Sequence, residues 1–230
     1  LTINPYLYRH LNYDAHQDLE PITFLASTPN VLVVNKYVPV NDISSLVAFA
    51  KNHPDELSFA SSGIGTSIHL SGELFAQLTK TKIRHIPYKG RAQAIPDLIG
   101  GRVQMSFDNL TSALPLIKSG DLKALGVTSS QRSTYAPDIP TIAESSIPEL
   151  KQFNVTSWFS LMGPAGMSKD EIQRIATEVK RVFQLPEVKD KLVSMGLDPN
   201  PQGPQALNKL IQAESKKYSK LIKEIGITAE

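Results

Sequence analysis

Three strand–loop–helix units follow one another between residues 57 and 127, and this alternation limits the fold more than any other feature. The first unit is LSFASSGIGTSIHLSGELF, residues 57–75. It begins with the apolar run of a buried strand, and Leu70, Leu74 and Phe75 then share one face of a helix. Strands that alternate with helices are typical of a mostly parallel sheet with flanking helices. The alternation therefore predicts an α/β fold.

The next two units repeat the order with different residues. IRHIPYKG (83–90) predicts a strand, and the helix after it ends at the Gly100–Gly101 pair. VQMSFDN (103–109) alternates as a strand does, and a helix and the strand LKALGVTS (122–129) follow. Ahead of these units, VLVV (31–34) predicts one more strand. The units that follow it, within residues 35–155, should form a complete α/β lobe.

The C-terminal part of the chain does not show this alternation of strands and helices. TSWFSLMGP (156–164) predicts a strand, and Ser168 with Glu171 forms a capping box at the start of a helix. A second long amphipathic helix carries the apolar stripe from Leu207 to Ile225. These helices have few strands of their own to cover. We therefore expect two lobes, with residues 35–156 as the second and residues 1–34 and 157–230 as an incomplete first.

Composition excludes several classes of function. The chain has 230 residues, of which 41% are hydrophobic, and a formal net charge of +2 without a basic stripe, so no nucleic-acid partner is expected. The absence of cysteine excludes disulfides and thiolate metal sites. The five histidines are dispersed, and no metal site is predicted. Motifs for a nucleophile elbow, a phosphate-binding loop or a zinc protease are absent, so we expect neither an enzyme nor a cofactor.

The polar loop of the first unit is the main candidate site. In open α/β sheets, ligands lie beyond the carboxyl ends of the strands, where helix N-termini offer free amides to an anion. This loop supplies amides and uncharged hydroxyls there. The alternative is that Thr66 or Ser67 caps the helix and the glycines only make the turn. The candidate ligand-binding residues are Ser61, Ser62, Gly63, Gly65, Thr66 and Ser67.

Four further residues lie near the predicted strand ends. His69 either faces solvent or a neighbour, or donates a hydrogen bond to a ligand. Lys89 or the amide of Gly90 would meet an acid at the end of its strand, although Lys89 could equally be a solvated lysine. Asp108 would bind an amino or hydroxyl group of a ligand, or orient its own loop.

Several blocks occur in an order that resembles the solute receptors of tripartite tricarboxylate transporters, the Bug family. The similarity runs from Leu1 to Glu230 and does not depend on any one block. Among the blocks are INPYLYRHLNYD, DLEPITFLASTPNVLVVN, LSFASSGIGTSIHLSGELF, IRHIPYKG, AIPDLIGGRVQMSFDN and SWFSLMGPAGMSKDEI.

The resemblance implies a periplasmic receptor with the two-lobed, type II periplasmic-binding-protein fold. Such a receptor captures a small mono- or dicarboxylate between its lobes and delivers it to the membrane subunits of the transporter. The loop matching Ser61 to Ser67 would hold the carboxylate, partly through ordered water. The alternative is a ligand sensor that signals to a membrane partner.

Family members have a further strand and helix before the block that matches Leu1. The resemblance therefore implies that the N-terminal part of the first lobe is missing. The apolar helix stripes of that lobe would then need a partner surface. We expect either a separate piece or self-association of the chain to cover them.

Overall fold

The computed structural model describes residues 1–228 and divides the chain into two compact units. One unit comprises Leu1–Ser27 together with the chain from Trp158 onward, and the other comprises Thr28–Ser157. We call them the first and the second unit. Within residues 1–228, no helix combines the length and the apolar character needed to cross a membrane.

The second unit is built on a five-stranded sheet. Its strands, in the order in which they lie side by side, are β3 (Arg84–Pro87), β2 (Ser58–Ser61), β4 (Met105–Asn109), the C-terminal half of β1 (Leu19–Asn35) and β5 (Leu122–Val127). β2 is parallel to both β3 and β4. β1 is antiparallel to both β4 and β5, with Val31 opposite Asp108 and Val127.

The α/β class is confirmed, but the sheet is mixed because one central strand is reversed. β2, β3, β4 and β5 run in one direction, since each is joined to the next by a helix that returns the chain to the same end of the sheet. β1 does not follow such a crossover. It enters the sheet directly from the residues that belong to the first unit, so nothing requires it to be parallel.

Helices cover both faces of this sheet. They are α2 (Ile43–Asn52), α3 (Ser67–Thr79), α4 (Arg91–Ile99) and α5 (Leu110–Lys118). The alternation of β1 shows the two layers: Leu32 and Val34 pack in a core with α2 and α3, whereas Val31 and Val33 pack with α4 and α5. All four side chains are fully buried, which explains why the strand reads as a continuous apolar run.

The division of the chain differs from the predicted boundary at residue 34. It falls between Ser27 and Thr28, because Val31 to Val34 lie in the middle of the second unit's sheet. At the other end it falls between Ser157 and Trp158, inside β6 (Thr156–Pro164).

The first unit consists mainly of helices. Its elements are α1 (Asn4–Leu7), the N-terminal half of β1, most of β6, α6 (Lys169–Phe183), α7 (Pro186–Ser194), β7 (Asp198–Gln202) and α8 (Pro204–Ile225). β7 pairs antiparallel with β1 from Phe24 to Ser27. The sequence analysis missed β7, since Pro199 and Pro201 argue against a strand unless it lies at an edge.

Candidate functional site

The predicted site residues of the second unit lie at one edge of its sheet. Ser61 is the last residue of β2, Lys89 and Gly90 follow β3, and Asp108 lies at the end of β4. Because these three strands are parallel, their carboxyl ends share the same edge. α3, α4 and α5 begin at this edge, each directly after its strand or loop. Three helix N-termini therefore offer partial positive charge to one region.

Hydrogen bonds within the loop from Ser61 to Ser67 fix its shape. Thr66 Oγ1 donates to the carbonyl of Gly63 at 2.8 Å and accepts from the amide of His69 at 3.3 Å, so Thr66 caps α3. Ser61 Oγ accepts from the amide of Gly63 and lies 2.7 Å from His85 Nε2. Gly65 has φ +76°, a conformation that favours glycine. Thr66 and Ser61 thus use their hydroxyls to build the loop, while Ser62 is half-buried on it.

Ser67 differs from these two residues because its hydroxyl accepts twice. Its Oγ accepts from Asn30 Nδ2 at 3.2 Å and from Ser157 Oγ at 3.0 Å. With both lone pairs engaged, the Ser67 hydroxyl proton is available to an acceptor outside these three residues. Asn30, a fully buried residue of β1, was not among the residues predicted from the sequence. Its position on a strand remote in sequence gave no signal.

Of the predicted environments for His69, the structure has contact with neighbouring residues rather than with solvent, because the first turn of α3 faces the interior. The ring is 1% exposed. Its Nδ1 accepts from the amide of Gly65 at 3.0 Å, and its Nε2 lies 3.4 Å from Glu73 Oε1. Nδ1 is therefore unprotonated and Nε2 carries the proton. Both ring nitrogens contact other groups of the protein, so His69 supports the loop from its buried side.

His85, which the sequence analysis did not single out, stacks on His69. The two rings lie 3.8 Å apart at an angle of 14°, and Phe59 lies 4.8 Å from His85. Burial, with a smaller contribution from the neighbouring His69, lowers the pKa of His85 to about 4 against the opposing effect of Glu73. His85 is consequently uncharged at neutral pH.

The fold thus brings two of the dispersed histidines together with Glu73. One ligand atom from each of His69, Glu73 and His85 lies within 4.8 Å of the others, a separation that a metal ion could bridge. A metal ion binds an imidazole in the plane of the ring, at about 2.0–2.1 Å for zinc. Two nearly parallel stacked rings cannot both direct a nitrogen at one ion. The arrangement favours an uncharged stacked pair.

Lys89 and Gly90 lie at the predicted edge of the sheet. The side chain of Lys89 extends into solvent, whereas Gly90 has a backbone conformation that favours glycine. The Lys89 side chain is exposed, and its backbone amide donates to Gln93 Oε1. Gly90 has φ +110° and directly precedes α4. The edge therefore keeps one flexible ammonium group close to a helix N-terminus.

Asp108 is engaged by Arg91, a residue that the sequence analysis missed. Both carboxylate oxygens accept from Arg91 Nε, at 3.0 and 2.8 Å, and Oδ1 also accepts from the amide of Asn109. Arg91 Nη2 donates in turn to the carbonyl of Ser112. Asp108 is 1% exposed. Of the two predicted roles, this geometry favours orientation of neighbouring groups over direct contact with a ligand.

Comparison with known proteins gives one family. A family model described as the tripartite tricarboxylate transporter family receptor matches residues 1–227. The chain is 34% identical, over 100% of its length and 68% of the relative's, to the UPF0065 protein in the tcbD-tcbE intergenic region of Pseudomonas sp. (strain P51). It is 32% identical to protein BugT of Bordetella pertussis, over 98% of the chain and 68% of that protein.

Solved structures agree with this assignment. A structure from R. palustris with adipate superposes with a TM-score of 0.83 and 33% identity, covering 98% of this chain and 75% of that one. The periplasmic binding protein BugD gives a TM-score of 0.78 at 29% identity, with coverage of 98% and 75%. MatC from Rhodopseudomonas palustris with bound malate gives 0.76 at 27% identity, with coverage of 95% and 74%.

Proposed function

Since the chain belongs to the tripartite tricarboxylate transporter receptor family, we propose that it binds a small mono- or dicarboxylate at the carboxyl edge of the second unit's sheet. The observation that carries the proposal is the convergence of three helix N-termini on that edge, beside a loop of uncharged hydroxyls and glycines. The solved relatives with adipate and malate support the same class of ligand.

The physical case depends on donors that do not need a fixed charge. An anion near a helix N-terminus gains about 0.3–1 kcal/mol from the dipole of that helix. The amide of Leu70 donates to the carbonyl of Thr66 and closes the first turn of α3. The amides of Ser67 and Ile68 come before this bond, where a helix offers no acceptor of its own. In this proposal these amides and the Ser67 hydroxyl meet the carboxylate. Ser61, Thr66 and His69 hold the loop in shape.

The remaining residues at this edge would adjust the charge around the ligand and present backbone to it. Lys89 would contribute a mobile positive charge, and Gly90 would present its backbone to the ligand. Arg91 and Asp108 neutralise each other, so the edge avoids a buried negative charge that would repel an acid. Ordered water between these groups and the ligand would let related acids share one site.

Delivery of the acid to membrane transporter subunits is the second part of the proposal. We place it in the periplasm, the compartment of the related binding protein BugD. The alternative role, a sensor that reports the acid to a signalling partner, would use the same site. Deletion of the gene separates the two: a transport receptor is required for uptake of the acid, whereas a sensor is required for the transcriptional response to it.

Calorimetric titration with malate and adipate tests the binding step. We expect Ser67→Ala to weaken binding by about 1.5–3 kcal/mol, since a hydrogen bond to a charged group is lost. Ser219→Ala, at a partly exposed position on α8 remote from the loop in sequence, is the matched control and should bind as the unmodified chain does. If neither mono- nor dicarboxylates bind the unmodified chain, the proposed function is wrong.

A further inference from the structure

We propose that His69 and His85 are positioning residues that hold the loop from Ser61 to Ser67 in its binding conformation only while both imidazoles are uncharged, so that acidification loosens the loop and releases the acid. This inference rests on the proposed function, and it adds a regulation of the same site. The observation behind it is that the two stacked rings contact the loop at two separate places.

Each ring contacts a different part of the loop. His85 Nε2 lies 2.7 Å from the hydroxyl of Ser61, where β2 ends. His69 Nδ1 accepts from the amide of Gly65, just before the cap of α3. The rings themselves are 3.8 Å apart and nearly parallel. The stack therefore joins the two sides of the loop through side chains on α3 and β3.

Protonation would disturb both contacts. The Nδ1 lone pair of His69 accepts the Gly65 amide, and a proton at Nδ1 would turn that acceptor into a donor facing another donor. A proton on His85 would place a cation against the face of a second imidazole, with Phe59 nearby and part of the ring withdrawn from water. Opening the loop would relieve both conflicts by admitting water.

The charged groups around the pair explain the direction of the effect. Glu73 on α3 lies 3.4 Å from His69 and favours protonation of His85, but burial and His69 outweigh it and lower the pKa of His85 to about 4. The other ionisable groups on the elements packed against α3 are Arg84 on β3, Asp108 on β4 and Glu149 on the short 3-10 helix Pro148–Leu150. Arg84 is exposed, and Asp108 is neutralised by Arg91.

The sign and size of the effect follow from linkage. In the closed loop the pKa of His85 is about 4, below its ordinary value of 6.5. The closed loop therefore has its full stability above about pH 6.5. It loses stability as the pH falls from there towards 4. If opening restores the ordinary pKa, the equilibrium for opening rises about tenfold between pH 7.5 and 5.5.

Amide exchange measured by NMR on the ligand-free chain tests the inference without any acid. We expect the protection of the Gly65 amide, corrected for intrinsic exchange, to fall about tenfold between pH 7.5 and 5.5. The Leu46 amide, which bonds to Asp42 in α2 away from the pair, is the internal reference and should change little. Equal changes at Gly65 and Leu46 would overturn the proposal.

Variants then connect the loop to the ligand. His85→Gln keeps a polar atom near the Ser61 hydroxyl but does not titrate in this range, so it should flatten the pH dependence of malate affinity. His53→Gln, which removes an exposed histidine of the same unit, should keep it. A full pH dependence in His85→Gln would contradict the role of that residue.

Two results distinguish the proposed role of the histidine pair from the proposed function and from a metal site. Failure of the unmodified chain to bind any mono- or dicarboxylate at pH 7.5 would contradict the proposed function, while the Gly65 exchange would still decide whether the pair holds the loop. Zinc added alone at pH 7.5 should leave the Gly65 amide signal in place. A stoichiometric shift of that signal would show a metal site instead of an uncharged stack, and would overturn the inference.

Discussion

The helices of the second unit bury their apolar faces on a sheet, whereas several helical positions of the first unit expose large apolar side chains. Leu46 of α2 and Leu98 of α4 are fully buried. In the first unit, Val182 at the end of α6 is 39% exposed, and Met195 after α7 is 56% exposed. All of these helices have an apolar face, but those of the first unit are more polar overall than those of the second. The pattern predicts a helix, but the number of layers around it decides how deeply its apolar face is buried.

The cores of the two units are arranged differently. The second unit has side chains packed on both faces of its sheet, with Leu32 on one face and Val33 on the other. In the first unit, Ile22, Ile172 and Ala176 form a small cluster, and an apolar groove of about 510 Å³ lies along α6, lined by residues such as Val179 and Phe183. The expected self-association of the chain stays a prediction, which light scattering over a range of concentrations would test.

The largest expected effect is the removal of a central side chain from the second unit. Leu32→Ala should lower the free energy of unfolding by about 2–5 kcal/mol, because the cavity lies between layers that cannot collapse into it. Leu185→Ala, at a position 40% exposed in the first unit, should stay within about 0.5 kcal/mol of the unmodified chain. Urea unfolding followed by circular dichroism measures both. Similar losses would show that the two units are equally well packed.

Ion pairs offer a second comparison of intermediate size. Asp108→Asn should cost about 1.5–3 kcal/mol, since the buried carboxylate accepts several hydrogen bonds and Arg91 would lose its counter-charge. Glu178→Gln breaks an exposed pair with Arg181 on α6, and such pairs contribute about 0–1 kcal/mol. Unfolding in low and high salt is informative, because only the exposed pair should be screened. A larger cost for Glu178→Gln would reverse the assignment of burial.

How much of the fold could be predicted depended on whether its signals were local. The order of strands and helices from residue 57 to 127 follows from apolar periodicity and from glycines at the turns, and the structure has these elements. The reversed direction of β1 and the pairing of β7 depend on residues far apart in sequence. No periodicity within either strand could indicate its partner.

The candidate site divides in the same way. The loop from Ser61 to Ser67 could be located because a strand, two glycines and a capping threonine follow one another directly. The stack of His69 on His85 and the support of Ser67 by Asn30 join residues from different strands and helices. Such contacts exist only once the sheet has formed. Sequence therefore indicated where the loop is, but not what holds it.

The smallest expected difference between the units concerns helix caps, where the two units should behave alike. Asp42 caps α2 of the second unit by accepting the amide of Ser45 at 2.7 Å, and Ser168 caps α6 of the first unit by accepting that of Glu171 at 3.2 Å. Both form capping boxes. We expect Asp42→Ala and Ser168→Ala each to cost about 1 kcal/mol, because a cap acts on its own first turn regardless of the layers beyond it.

A pH series sharpens this last comparison. Hydrogen bonds from Ser45 lower the pKa of Asp42 below its ordinary 3.8, so the contribution of that cap is complete above this pH and is lost as the pH falls further. Urea unfolding at neutral pH should give the two variants equal losses within error, and the loss for Asp42→Ala should shrink in acid. A clearly larger loss for one cap at neutral pH would mean that the difference between the units extends beyond burial to local helix stability. The contrast drawn from Leu32 and Leu185 would then need a second cause.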